Sequence, residues 1–364
     1  MEIYIIMLLL VYVTYFITNN TYRTSEKASK RFLIVSFVII YLVCALRDYS
    51  VGRDIPGYME TYELSSQYPL WDATWIYMES GYVAYMKICS LLGFSNRMFL
   101  FVTYFFMLFP IYYTIKKYSD NPLLSVIIFI CFQFLTFDLS GIRQGLATSI
   151  CLMGFTFALK EGKRNLIIFY LFAILAFLFH RSSIIFMLVP FIARMKYNTK
   201  NIIILLGITA VSPGFTGFIM AINSNNHMSK YGVDDRLAMG GMLVFLFAMA
   251  LFMIYSSYVN KHRQYKYDNR KAISVNQLTF LVIVSVIFSL AFNGSMLSRS
   301  TMFYTIFLLY ALPNAISILP KSTRVFCNIS FHIGMLLFFY IFCLVPKTLD
   351  MVPYKLGTDL PFLF

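Results

Sequence analysis

The chain has 364 residues, of which 59% are hydrophobic and only 13% are charged, and it carries a net charge of +14. Its apolar residues are gathered in runs that approach the roughly 20 residues a helix needs to cross a bilayer core. Such runs are too long for barrel strands and leave no room for open loops in lipid, so composition excludes a soluble enzyme and indicates an all-α polytopic membrane protein. The excess of positive charge would suit nucleic acid, but it is partitioned by loop. Six short segments (19–31, 116–121, 160–164, 194–200, 260–271 and 320–324) hold 19 Lys and Arg against 4 acids, and the rest of the chain holds 11 against 12. The positive-inside rule places the first set in the cytoplasm and makes nucleic acid an unnecessary partner.

In chain order, a first span is expected at about 2–18, with no basic segment ahead of it and a basic loop behind it. That pattern argues against a cleaved signal peptide and puts the N-terminus outside. A second span at about 32–46 returns to the outer face at Arg47. The stretch 47–97 is the longest without a full span; its segment 75–93 carries Trp75, Tyr77, Tyr82 and Tyr85 and is broken by Glu79, Gly81 and Lys87. It reads as an interfacial, half-inserted helix. Further spans are expected at 98–115, 122–137, 141–159, 165–180, 182–195, 202–220, 239–259, 275–293, 301–319 and 325–345, about twelve in all. A second outer loop covers 221–240, the C-terminal tail lies outside, and residues 1–364 read as one membrane domain with no internal repeat.

The six cysteines are scattered, five of them in apolar runs, so no disulfide framework or paired-cysteine metal motif is present. The four histidines are too dispersed for a metal site, and no metal or other cofactor is expected. With the topology above, Arg47, Arg53, Arg143, Arg181 and Arg299 all fall near helix ends on the outer face. An arginine at the mouth of a membrane helix is costly without a partner or a ligand. Several guanidiniums beside helix N-termini suit a diphosphate, because the planar fork bonds phosphate oxygens in pairs. The plainer reading is that some snorkel or pair with Asp48, Asp54, Glu79 or Asp138. His180, closing an apolar run and followed by Arg181, Ser182 and Ser183, is either a general base near neutral pH or an interfacial histidine. Asp54, between Gly52 and Gly57, is the other candidate base, or an arginine counter-ion. Gly141 and Gly145 read first as a close helix-packing pair.

Certain of these residues occur together in a recognisable order. Arg47, then Val51-Gly52-Arg53-Asp54 and Tyr58, then Glu79-Ser-Gly-Tyr82, then Ile142-Arg-Gln-Gly-Leu-Ala147, then Phe179-His180-Arg-Ser-Ser183 resemble the EpsG-like branch of the Wzy-type bacterial polysaccharide polymerases. A weaker likeness continues at Ser298-Arg299, Tyr304 and Pro353-Tyr354-Lys355. Arg53 departs from the family's usual small polar residue after the glycine.

The resemblance implies a GT-C-type membrane glycosyltransferase of the bacterial inner membrane. It would take undecaprenyl-diphosphate-linked oligosaccharides as donor and acceptor at the outer face, alongside a flippase and a chain-length regulator of the same pathway. On that reading Arg143, Arg53, Arg299 and Arg47 hold the diphosphate, and His180 or Asp54 readies the acceptor hydroxyl. Gln144, Glu79, Tyr82, Tyr58 and Arg181 line the substrate. The product would be O-antigen, capsule or exopolysaccharide. The alternatives from the residues alone are a flippase of lipid-linked oligosaccharide, for which internal repeats and midplane polar helices are wanting, or a ligase or acyltransferase built from similar parts.

Overall fold

The computed structural model describes residues 1–21, 25–68, 78–222, 233–262, 274–292 and 300–359, apart from the side chains of Ser25, Ser66, 215–222, 233–239 and 260–262. Arg299, Trp71, Trp75, Tyr77 and residues 223–232 of the expected 221–240 loop lie outside the described residues, while 221–222 and 233–240 belong to helices instead of that loop.

The described residues are helical, with one isolated antiparallel bridge between Arg47 and Leu356. In order the helices are α1 (Glu2–Thr21), α2 (Ser25–Ala45), α3 (Ile55–Gln67), α4 (Ser80–Leu91), α5 (Asn96–Tyr118), α6 (Pro122–Cys131), α7 (Phe134–Ser140), α8 (Ile142–Ala158) and α9 (Lys163–Phe179). A 3-10 turn at Arg181–Leu188 leads into α10 (Val189–Ala193). There follow α11 (Thr199–Ile222), α12 (Val233–His262), α13 (Val275–Ala291), α14 (Met302–Thr305), α15 (Leu308–Ser317) and α16 (Lys321–Phe339), the last continued by a π turn to Leu344.

Among the described residues, five of the roughly twelve expected spans are both long and apolar enough to cross a bilayer unaided. They are α1, α2, α5, the Gly240–Val259 part of α12, and α16 with its π turn. A sixth is α6 and α7 taken together, bent by 49°. The bend follows from Gln133, which adopts a left-handed backbone (φ 63°) between the two helices and interrupts the ladder. The segment expected to span at 182–195 is instead a 3-10 turn and a five-residue helix, with Pro190 in the first turn of the latter. α1 and α16 present apolar side chains outward, among them Leu9, Phe16, Phe326 and Ile333, each more than half exposed. Water would not tolerate faces of that extent, whereas hydrocarbon favours them.

One end of the bundle is knotted together by polar contacts. Arg97 at the start of α5 donates from Nη1 to the carbonyls of Ala45 (2.7 Å) and Arg47 (2.6 Å), so α2 ends where α5 begins. The intervening stretch therefore begins and ends at one face, as a non-crossing segment must. It holds two helices, α3 and α4, where the sequence suggested a loop and a single interfacial helix at 75–93. Pro56 in its first turn starts α3, since its fixed φ suits that position. The C-terminal segment folds over the same end. Asp48 N–H donates to the Lys355 carbonyl (2.9 Å), Gly357 N–H to Leu46 (2.9 Å), and the Tyr4 hydroxyl of α1 to Met351 (2.9 Å). Both ends of the described chain thus sit on the face that carries Arg47, Arg53 and Asp54.

Two glycines permit the close approaches that shape this end. Gly52 has φ +100°, and a Cβ there would lie 2.1 Å from the Leu139 carbonyl oxygen. Gly81 lets α4 touch the C-terminal turn of α9: a Cβ would lie 2.7 to 2.9 Å from Leu178 side-chain and backbone atoms. Gly52→Ala combines backbone strain with a backbone clash and is expected to cost at least about 2 kcal/mol, read as a lower unfolding midpoint in detergent. Gly81→Ala is expected to separate α4 from α9, lowering activity by more than it lowers that midpoint. Equal activity for the Gly81 variant would show that this contact does not set the geometry described next.

Candidate functional site

The contacts that close this end of the bundle converge on Glu79. It stands at the N-cap of α4 with an extended backbone, and its side chain is only 12% exposed. One carboxylate oxygen, Oε2, accepts from Arg143 Nη1 at 2.6 Å. The other, Oε1, accepts the backbone N–H of Arg181 at 3.2 Å and lies 3.4 Å from Nδ1 of His180. Three segments distant in sequence are joined by one carboxylate. Burial alone would push its pKa up. The neighbouring His180 ring, the charge of Arg143 and the Arg181 N–H outweigh that and hold it well below the ordinary value, at about 2. Glu79 is an anion at any working pH.

Arg143 is positioned by the first turn of α8, where Gly141 serves as N-cap. Its Nε donates to the Tyr58 hydroxyl at 3.2 Å, and its guanidinium carbon lies 5.5 Å from the centre of the Tyr58 ring. Two of its three nitrogens are therefore engaged, which leaves Nη2 directed at neither partner. Tyr58 itself sits one turn into α3, packed edge-on against Tyr82 with ring centroids 5.8 Å apart. Tyr82 is fully buried and its hydroxyl is without a hydrogen-bond partner, so it forms the wall behind Tyr58.

His180 lies between the end of α9 and the 3-10 turn, in an extended conformation (φ −159°, ψ 114°). The break from helix turns its ring toward Glu79, and with Nδ1 buried there, Nε2 is the nitrogen left for a ligand. Ser182 and Ser183, next in the chain, also bury their hydroxyl oxygens without partners. Orphaned buried hydroxyls are uncommon, and here they gather beside one histidine.

The remaining expected site residues divide. Asp54 is at the N-cap of α3, one turn before Tyr58, and its N–H donates to the Ser140 hydroxyl at 3.2 Å, which ties it to the α7–α8 junction. Arg53 reaches the other way, pairing through Nε with Asp350 of the C-terminal segment at 3.0 Å. Gln144 is buried on the flank of α8 away from Arg143. Arg47, expected among the diphosphate ligands, is instead fully buried. It donates to the carbonyls of Cys44 (3.3 Å) and Leu139 (2.7 Å) and lies 4.9 Å from the Tyr104 ring centre, inside the protein and turned to backbone acceptors. Arg97 and Asp359, which the sequence analysis passed over, form the half-buried pair that anchors the tail. Nothing in the local pattern of either marks it, because they are 262 residues apart.

No curated protein and no solved structure matches the chain. The model of the EpsG family matches residues 30–356, a span that takes in every residue of the Glu79 cluster. The chain belongs to the EpsG family, whose members are Wzy-type polymerases of polysaccharide biosynthesis.

Proposed function

We propose that the protein is a GT-C-type polymerase that moves glycan from undecaprenyl diphosphate onto a hydroxyl of a second lipid-linked repeat unit at the outer face of the bacterial cytoplasmic membrane. The observation that carries this reading is the Arg143–Glu79–His180 cluster, which puts a cation and an oriented imidazole on one carboxylate at one end of an apolar bundle. In the reaction the acceptor oxygen attacks the anomeric carbon of the donor. The bond from that carbon to the diphosphate oxygen breaks, and the bonding pair leaves with the diphosphate. His180 Nε2 takes the acceptor's proton. Glu79 holds Nδ1 and balances the imidazolium that forms, as a buried carboxylate does for any histidine base. Arg143 Nη2, with Arg181 and Arg299 as further cations, meets the charge that grows on the leaving group.

His180 is preferred to Asp54 as the base because its ring is oriented by a carboxylate that stays ionised. Arg143 acts as a fork held by Glu79 and Tyr58, so Lys, a point charge, is a poor substitute. With arginines to neutralise the diphosphate, the reaction runs without a divalent ion. A flippase and a chain-length regulator of the same pathway are the expected neighbours in the membrane.

The test is extension of lipid-linked repeat units by purified protein in nanodiscs, read as a ladder of products. His180→Ala is expected to lower kcat by about 100-fold or more, and Arg143→Ala by a similar factor, with Arg143→Lys recovering little. Asp54→Asn should retain most activity; if it abolishes the ladder while His180→Ala does not, the roles are reversed. Wild-type activity is expected to survive EDTA. The pH dependence of stability follows from the depressed value of Glu79. A carboxylate with a folded-state value of about 2 against an ordinary 4.5 contributes fully above about 4.5 and loses that contribution as pH falls through about 2. The unfolding midpoint of the wild type should therefore fall more steeply over that range than that of Glu79→Gln.

A further inference from the structure

A second polar feature lies on the other side of α8. Asp138, near the end of α7, is 7% exposed, yet no group among the described residues hydrogen-bonds its carboxylate, although the Tyr104 hydroxyl donates to its backbone carbonyl at 2.8 Å. The side chain borders a narrow cavity that it shares with Gly141, Gln144, Gly145, Thr148 and, from α14, Met302. At about 100° per residue, positions 141, 144, 145 and 148 share one face of the helix, and that face is turned nearly opposite to Arg143. The close fit of Asp138 to α8 depends on Gly145: a Cβ there would lie 2.7 Å from Asp138 Oδ1. A buried carboxyl that no donor hydrogen-bonds, countered only by the charge of Arg47 on the neighbouring Leu139 carbonyl, is costly. Its carboxylate oxygens, facing a small cavity with apolar walls, are what a carbohydrate hydroxyl requires.

We infer that Asp138 and the Gln144–Thr148 face of α8 form a subsite for a single hydroxyl group of the glycan, distinct from the Arg143–Glu79–His180 cluster. This rests on the polymerase reading and adds to it the residues that select the sugar. The cavity has room for a single small group and not for a whole ring, so it reads one substituent of one sugar. A helix is about 10 Å across, a distance that an oligosaccharide of a few residues spans. One repeat unit can thus lie with its diphosphate-proximal end at Arg143 and a more distal sugar hydroxyl on Asp138. The carboxyl discriminates sharply at such a point, because a sugar lacking that hydroxyl would leave it buried and unpaired again.

Two variants test this. Asp138→Asn keeps the shape and removes the strong acceptor. Thr148→Val replaces a hydroxyl of the cavity wall with a methyl of similar size, and it should fold, since that hydroxyl donates only to the Gln144 carbonyl of its own helix at 2.9 Å. Both are assayed in nanodiscs with lipid-linked repeat units extracted from cells lacking the polymerase, and binding is measured separately with plain undecaprenyl diphosphate as the probe. The expected result for each is a rise of about ten-fold or more in KM for the repeat unit, with kcat within about two-fold of wild type and unchanged affinity for undecaprenyl diphosphate. A fall in kcat at constant KM would overturn the subsite and make Asp138 a participant in proton transfer. Equal loss of affinity for both probes, or wild-type kinetics in both variants, would overturn it as well. If the wild type builds no ladder, the polymerase reading fails; if it builds one and the variants match it, only the subsite fails.

Discussion

A carboxylate enclosed by protein at the end of a membrane bundle must be surrounded by donors, and Glu79 has them from three directions. The desolvation of both Glu79 and Arg143 is offset only while all the partners stay in place. Removing any one would leave a buried charge uncompensated, so the positions of α4, α8 and the end of α9 are mutually dependent. The chain satisfies this requirement with local breaks from regular structure: an extended His180 after α9, an extended Glu79 ahead of α4, and Gly141 between α7 and α8. Each break frees main-chain donors that a continuous helix would have used internally.

The arginines on this face serve two ends, and what separates them is the chemistry of their acceptors. Arg47 and Arg97 spend their donors on carbonyls at helix ends and on the tail carboxylate of Asp359, and both are essentially excluded from solvent. They close the scaffold. Arg143 bonds a carboxylate and a phenol, is about one quarter exposed, and keeps a nitrogen free of both. Arg53 stands between these cases, in an open pair with Asp350 that contributes little to stability by itself. The scaffold arginines are what allow the open ones to be held at fixed positions. The tail they anchor lies directly against the turn that leads into α3 and Tyr58.

What the sequence made legible follows from the range of the forces involved. Apolar runs report helices because burial in lipid depends chiefly on composition. The motif order picked out Glu79, Tyr58, Arg143 and His180, and the structure brings these four together. The division between Arg47 and Arg143 could not be read, since both are arginines beside apolar runs. Their fates are set by partners that the chain delivers from far away: Leu139 for one, Glu79 for the other. The bend at Gln133 was equally hidden, whereas the shortness of 182–195 and its Pro190 already marked that span as the weakest. A glutamine rarely takes a left-handed backbone on local grounds, and it does so here under tertiary constraint.

The same reasoning bears on why a polar cluster should sit at the end of the bundle and not at its middle. A lipid-linked substrate has three unlike parts, a hydrocarbon tail, a diphosphate and a glycan, and a protein that holds it must present three environments in that order along the membrane normal. Apolar outer faces such as those of α1 and α16 suit the tail, and cations at helix mouths suit the diphosphate. Partly enclosed donors and acceptors above them suit the sugars. On the function proposed above, Glu79 would stand at the second boundary; it bonds Arg143 with one oxygen and faces His180 with the other. Moving that carboxylate toward the midplane would raise the cost of its charge and take it away from any headgroup; moving it out into water would weaken both pairs by screening. The end of an apolar bundle is the depth at which one buried anion can orient a guanidinium and an imidazole at the same time.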